Sequence, residues 1–219
     1  MTKHFENEIE RLKKKILRLA AMVEEALQKA VKSITDQNIE LAASVVQYDS
    51  VIDSLEIEVE EECLKILALH QPVAADLRYV IATLKINNDL ERIADLAVNI
   101  AECTPTIAKA GSQKMPFDLF AMLDMTVKMV RDSVDSLVSN DCVKAGQVCA
   151  DDDEIDDRHE QSFHTVQEQL RKNPEMADYL ISLLSVSRNL ERIADHATNI
   201  AEDVIYMIEG EIVRHQSGG

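Results

Sequence analysis

The sequence predicts an all-α protein of six long helices, arranged as two tandem, pseudo-symmetric three-helix bundles, and three observations carry that prediction. Hydrophobic residues make up 46% of the 219 residues but aromatics only 4%, with five Gly, four Pro and no Trp, the composition of helices packed through Leu, Ile, Ala and Met with few turns between them. The segment Leu90-Glu91-Arg92-Ile93-Ala94-Asp95-Leu96-Ala97-Val98-Asn99-Ile100-Ala101-Glu102 returns 100 residues later, changed only at His196 and Thr198. Between short breakers, apolar residues recur at i, i+3, i+4 and i+7, the signature of one buried helix face.

Each element follows from that periodicity. In the first copy helices are expected near 4–35, 39–70 and 73–109, interrupted at Asp36-Gln37-Asn38 and at Gln71-Pro72. In the second they are expected near 116–138, 142–171 and 174–213, interrupted at Ser139-Asn140-Asp141 and at Asn173-Pro174. Asn173 is expected to cap the last helix, because its side chain can accept from free amides and Pro174 fits a first turn. The repeat offset is 100 around Tyr79 and Tyr179 but 103 upstream, where Asp49, Ile52 and Asp53 meet Asp152, Ile155 and Asp156. The drift must therefore fall in a loop near Pro72 and Pro174. The stretch from Thr104-Pro105 to Met115-Pro116, with Gly111-Ser112 inside it, is the expected boundary, giving repeats over 1–110 and 111–219. Loops this short force antiparallel neighbours, hence an up-down-up bundle in each copy. Residues 215–219 read as a disordered tail.

Charge and composition exclude several functions. A net charge of −17 repels phosphate backbones and anionic lipid, so nucleic acid and bare membrane are not expected partners. The basic run Arg11, Lys13, Lys14, Lys15 and Arg18 is the local exception; around Leu12, Ile16 and Leu19 it reads as a solvated helix face, or as a contact for an acidic partner. No stretch approaches the roughly 18 apolar residues of a membrane span, and the opening residues hold no apolar signal region, so a cytosolic location without membrane insertion is expected. Cys63, Cys103, Cys142 and Cys149 form no C-x-x-C pair and read as buried or idle thiols in a reducing compartment. Gly-rich phosphate loops, G-x-S-x-G and H-E-x-x-H are absent, which removes the common enzymatic signatures.

One constellation does carry chemistry. On the third helix Glu91, Asp95, Asn99 and Glu102 share a face, and Glu191, Asp195, Asn199 and Glu202 repeat it. The preceding helix carries Asp49, Asp53, Glu56 and Glu60, answered in the second copy by Asp152, Asp156 and His159. Carboxylates four apart repel unless a cation neutralises them, and oxygen-rich sets suit Mg, Mn or Fe(II). The acid face lies well over 90° from the centre of the apolar stripe, so spacing alone is equally compatible with a solvated acidic surface, and any metal belongs in a shallow groove. The recurrence of the same acids in both copies favours a site. The expected ligands are Asp49, Asp53, Glu91 and Asp95, and Asp152, Asp156, Glu191 and Asp195; Asn99, Glu102, His159, Asn199 and Glu202 are additional candidates. Arg92 and Arg192 adjoin the acids and read as structural ion-pair partners. His196, where the first copy has Leu96, and His159, where it has Glu56, each offer an imidazole to the second site alone, or read as ordinary surface or core histidines.

The tandem L-E-R-I-A-D-x-A-x-N-I-A-E, the lead-in His70-Gln71-Pro72-Val73-Ala74-Ala75-Asp76-Leu77-Arg78-Tyr79 and the paired E/D-x-x-x-D motifs resemble the PhoU family over nearly the whole chain. The resemblance implies two pseudo-symmetric bundles whose acidic motifs bind multinuclear metal clusters, iron or zinc most often, on the surface. It also implies a cytoplasmic negative regulator of the phosphate-starvation response, a homodimer, linking the ATPase subunit of a phosphate ABC transporter to a sensor histidine kinase. Two other classes stay open on the residues themselves: a carboxylate-bridged metalloenzyme, which needs an enclosed pocket, and a helical scaffold without metal.

Overall fold

The computed structural model describes residues 3–111, 113 and 115–210. Its helices are α1 (Lys3–Thr35), α2 (Ile39–His70), α3 (Ala74–Lys109), α4 (Leu119–Ser139), α5 (Cys142–Lys172) and α6 (Ala177–Glu209). A single 3-10 turn, Pro174–Met176, precedes α6. The expected disordered tail and the last residues of a helix reaching 213 lie outside the described residues.

The corners follow from local chemistry. Between α1 and α2, Gln37 takes a left-handed φ of 52° and the Asn38 side chain accepts from the Leu41 amide at 2.9 Å. Between α4 and α5 the same two roles fall to Asn140, with φ 51°, and to Asp141, whose Oδ1 accepts from Val143 and Lys144 at 3.0 Å. These pairs sit at the 103-residue offset, so the turn itself is duplicated, each cap satisfying amides that a helix start leaves free.

Two expected boundaries move, and one expected cap is not made. α4 begins at Leu119 rather than 116, because Asp118 supplies the cap by accepting from the Ala121 amide at 3.1 Å. The last helix opens with the 3-10 turn and becomes α-helical only at Ala177. Asn173 does not cap it: its side chain donates back to Gln169 Oε1 at 3.1 Å. The offset drift is taken up at this corner, since residues 71–73 link α2 to α3 whereas Asn173 alone separates α5 from the 3-10 turn. At the other end of α6, Gly210 adopts φ 76° and its amide bonds back to Tyr206, the left-handed cap that ends a helix.

The apolar stripes meet in one continuous core drawn from all six helices. α3 and α6 are its axis and form the most extensive helix pair in the molecule. Along them Ala94, Ala97 and Ala101, and Ala194, Ala197 and Ala201, are buried, small residues that let helices approach closely beside Leu90, Ile93, Leu190 and Ile193. Polar pairs pin the seam: Lys85 to Asp203 at 3.0 Å, and His196 Nδ1 to Asp89 at 2.8 Å. α2 and α5 lie on the outer sides of α3 and α6, presenting to them the edges that carry the acids. No helix among the described residues is long and apolar enough to cross a membrane.

Candidate metal centres

The first group forms where α2 crosses α3. Asp49 is half-buried, and burial first, then the negative charges of Asp53 and Asp95, push its carboxyl above the usual range. Glu91 is pushed the same way by burial and by Asp95, with Glu56 and Asp53 adding to it and the Arg92 guanidinium opposing. The four expected acids therefore feel one another across the helix pair. Arg92 Nη1 pairs with Asp95 Oδ2 at 3.0 Å, and its Nε approaches Glu91 Oε2 at 3.3 Å without hydrogen-bonding it. The ion-pair role expected for Arg92 is what the geometry gives; it neutralises part of the cluster only.

The second group repeats this where α5 crosses α6. Burial, then Asp195 and Asp156, push Asp152 up to about 6, while the Thr198 hydroxyl pulls the other way. Burial and Asp195 do the same to Glu191, and burial and Asp156 to Asp195.

Each group holds a buried polar residue that the acid stripes alone underplay. Asn87, buried on α3, donates to Glu56 Oε1 at 2.6 Å and to the Glu56 carbonyl at 3.2 Å. At the equivalent positions of the second copy Ser187 holds His159, Oγ to Nδ1 at 2.9 Å. The Ser187 hydroxyl also lies 3.4 Å from Met122 Sδ, and its bond to Nδ1 leaves Nε2 of His159 without a hydrogen-bond partner among the described residues. Burial and Arg188 favour the neutral imidazole. Candidate donor and holder have changed together, Glu56 with Asn87 and His159 with Ser187. Asn87 and Ser187 were missed because they sit in the apolar register; the 100-residue offset was the signal that could have found them.

The other candidates go elsewhere. Asn199 reaches Asp89 across the α3–α6 seam at 3.5 Å, and His196 bonds the same carboxylate, so the structure turns both away from Asp152 and Asp156, against expectation. Asn99 and Glu102 are exposed, and Glu102 acts on the thiol of its neighbour Cys103. Glu202 lies further along the α5–α6 groove, where with burial it helps push Cys149 up to about 11.

Asp49 Oδ1, Glu91 Oε2 and Asp152 Oδ1 are buried oxygens that make no hydrogen bond. Arg92 Nε lies 3.3 Å from Glu91 Oε2 and Thr198 acts on Asp152, but buried carboxylate oxygens short of hydrogen bonds are costly, and three of them at the expected positions fit a cation. The donors are carboxylate oxygens in the first group, and carboxylates with one imidazole in the second, sets suited to hard and borderline divalent ions. They line open grooves and are not closed cages: among the described residues, the one set of three His, Cys, Asp or Glu ligand atoms within 4.8 Å of one another is His4, Glu8 and His70, remote from both groups.

The PhoU domain family matches residues 16–104 and again 119–204. A phosphate-specific transport system accessory protein PhoU homolog from Aquifex aeolicus is 39% identical over 95% of each chain. A second homolog of that name, from Thermotoga maritima, is 36% identical over 95% of this chain and 90% of its own. The crystal structure of PhoU from Pseudomonas aeruginosa superposes with a TM-score of 0.91 at 31% identity, covering 94% of this chain and all of that one. The phosphate transport system regulatory protein PhoU from Streptococcus pneumoniae follows at 0.85 and 27% identity.

Proposed function

The chain belongs to the PhoU family, and from that premise we propose that it is a cytoplasmic, metal-binding negative regulator of phosphate uptake and phosphate-starvation signalling. It works as an adaptor, a homodimer that docks onto the ATPase subunit of a phosphate transporter and onto a sensor histidine kinase. The observation that carries the reading is the duplicated acid group with buried oxygens short of hydrogen bonds at Asp49, Glu91 and Asp152, in a chain whose relatives are named accessory proteins of phosphate transport.

Asp49, Asp53, Glu91 and Asp95, with Glu56, would hold metal in the first repeat. Asp152, Asp156, Glu191 and Asp195, with His159, would hold it in the second. Iron or zinc suits the set containing His159, and Mg or Mn is compatible with the all-oxygen set. A bound ion supplies positive charge that relieves the repulsion and ties α2 to α3 and α5 to α6. Asp53, Asp156 and Asp195 are exposed, so each groove faces outward, as a partner-docking surface does, and lacks the enclosure that substrate chemistry needs. The charge of −17 favours basic protein patches as the docking counterpart.

Two measurements together test the adaptor role. In the gene deletion, phosphate-starvation reporters are expected to switch on in rich phosphate, and the purified chain is expected to retain the transporter ATPase and the kinase in a pull-down. Silent reporters with neither partner retained would overturn it.

A further inference from the structure

A second kind of metal chemistry is available at the far end of the first repeat. His4 and Glu8 stand one turn apart on α1, and His70 closes α2 beside them. The Glu8 side chain is 2% exposed, and its two oxygens face different imidazoles: Oε1 lies 3.4 Å from His4 Nε2 and Oε2 lies 2.5 Å from His70 Nε2. Phe5, itself buried, packs edge-on against the His70 ring with centroids 5.2 Å apart and forms an apolar wall to the cluster. We propose that His4, Glu8 and His70 form a two-histidine, one-carboxylate site for a single zinc-class divalent ion, separate from the acidic grooves.

The donor set and its spacing carry the proposal. Two imidazole nitrogens and one carboxylate oxygen are the three protein ligands of many zinc sites, each at about 2.0–2.2 Å from the metal, which puts neighbouring ligand atoms roughly 3.4 Å apart in a tetrahedron. The three ligand atoms here already fall within 4.8 Å of one another, and His4, 73% exposed, is free to turn while His70 and Glu8 are held by packing. Lys65 now shares Glu8, Nζ to Oε1 at 3.1 Å, yet it also lies 3.7 Å from Glu62, a partner to which it can retreat when a cation takes Glu8.

The site belongs to the part of the chain that is not repeated. Leu119, the first residue of α4, aligns with Ile16 at the 103-residue offset, and the family match likewise starts at 16 and 119. His4 and Glu8 thus lie on three turns of α1 that have no counterpart in α4, and His70 is answered by Asn173. His70 is 17 residues from Asp53 on α2, about 25 Å along the helix, so no ligand is shared with the grooves. An ion here would staple the start of α1 to the end of α2.

The test uses the full chain carrying Asp49→Asn, Asp95→Asn, Asp152→Asn and Asp195→Asn, which disables the grooves and leaves this cluster untouched. Zinc chloride is titrated against a chromogenic chelator, and cobalt(II) serves as a visible-absorption probe of tetrahedral coordination. One zinc equivalent and a cobalt band are expected to remain. Adding His4→Ala, an exposed change that leaves the helical circular dichroism intact, should weaken zinc at least about tenfold, and His70→Ala should remove the cobalt band. Lys65→Met should tighten zinc, because the competing ammonium is gone. No zinc in the groove-disabled chain, or affinity indifferent to both His4→Ala and Lys65→Met, overturns the site and leaves a salt-bridged Glu8 in its place; neither result touches the groove assignment.

Discussion

Asp152 is where the tension between folding and function is sharpest. Burial and two neighbouring carboxylates push it up to about 6, so the metal-free fold pays for its charge at neutral pH. Since its folded pKa lies above the unfolded value, the penalty is absent in acid and grows as pH rises through the carboxylate range towards 6. Asp152→Asn should stabilise the chelator-treated protein at neutral pH by about 1–2 kcal/mol after allowing for solvent screening, with the difference vanishing in acid, while removing stabilisation by added metal. Denaturant titrations at two pH values check this; a destabilised metal-free variant would contradict it. Cys63 makes a simpler case. Buried without exposure, it has its thiol pushed up to about 12 by burial and then by Glu62 and Glu60. Iodoacetamide at mildly alkaline pH should leave it unmodified until denaturant is added, as peptide mass mapping will show.

At the scale of helices and corners, what could be read from the sequence depended on how local its cause was. Asn38 and Asp141 cap the helices they precede, and the breakers there were legible because a cap needs only its own turn. Replacing either by Ala should cost about 1 kcal/mol, measured by denaturant unfolding, with the two losses additive because the corners are independent. Asn173 shows the limit. It stands before Pro174 as a cap should, yet its side chain bonds Gln169 within α5, a choice made by the 3-10 geometry of the turn. The acid faces were legible because the repeat displayed them twice. Their holders Asn87 and Ser187, the turn of His196 and Asn199 towards Asp89, and the meeting of His4 with His70 were not, since each depends on which helix lies opposite and periodicity on one helix carries no record of its neighbour.

For the whole molecule the α3–α6 seam is decisive, and it is pseudo-symmetric with its chemistry split between two diagonals. Lys85 and Asp203 on one diagonal correspond to Ser185 and Cys103 on the other, whose side chains also interact. Asp89 and His196 correspond to Asn189 and Leu96, both buried. One diagonal is charged and the other neutral, so the copies share one axis without being interchangeable. Asp89→Ala, which strands His196 and Asn199, should cost about 1–3 kcal/mol. The double change Asp89→Asn with His196→Leu, which copies the neutral diagonal, should recover much of that loss in the same unfolding assay; no recovery would mean the hydrogen-bonded pair is required for packing.

Two metal grooves, built from duplicated acids on that shared axis, are the claim on which the functional reading stands. Elemental analysis of the chain as isolated tests it most directly, comparing Asp95→Ala with Asp195→Ala against the parent, both carrying His4→Ala and His70→Ala so that the α1–α2 cluster does not hold metal. The account predicts that the parent carries transition metal and that the double substitution abolishes it while the helical circular dichroism stays unchanged. Equal metal content in the two proteins, both fully helical, would contradict it.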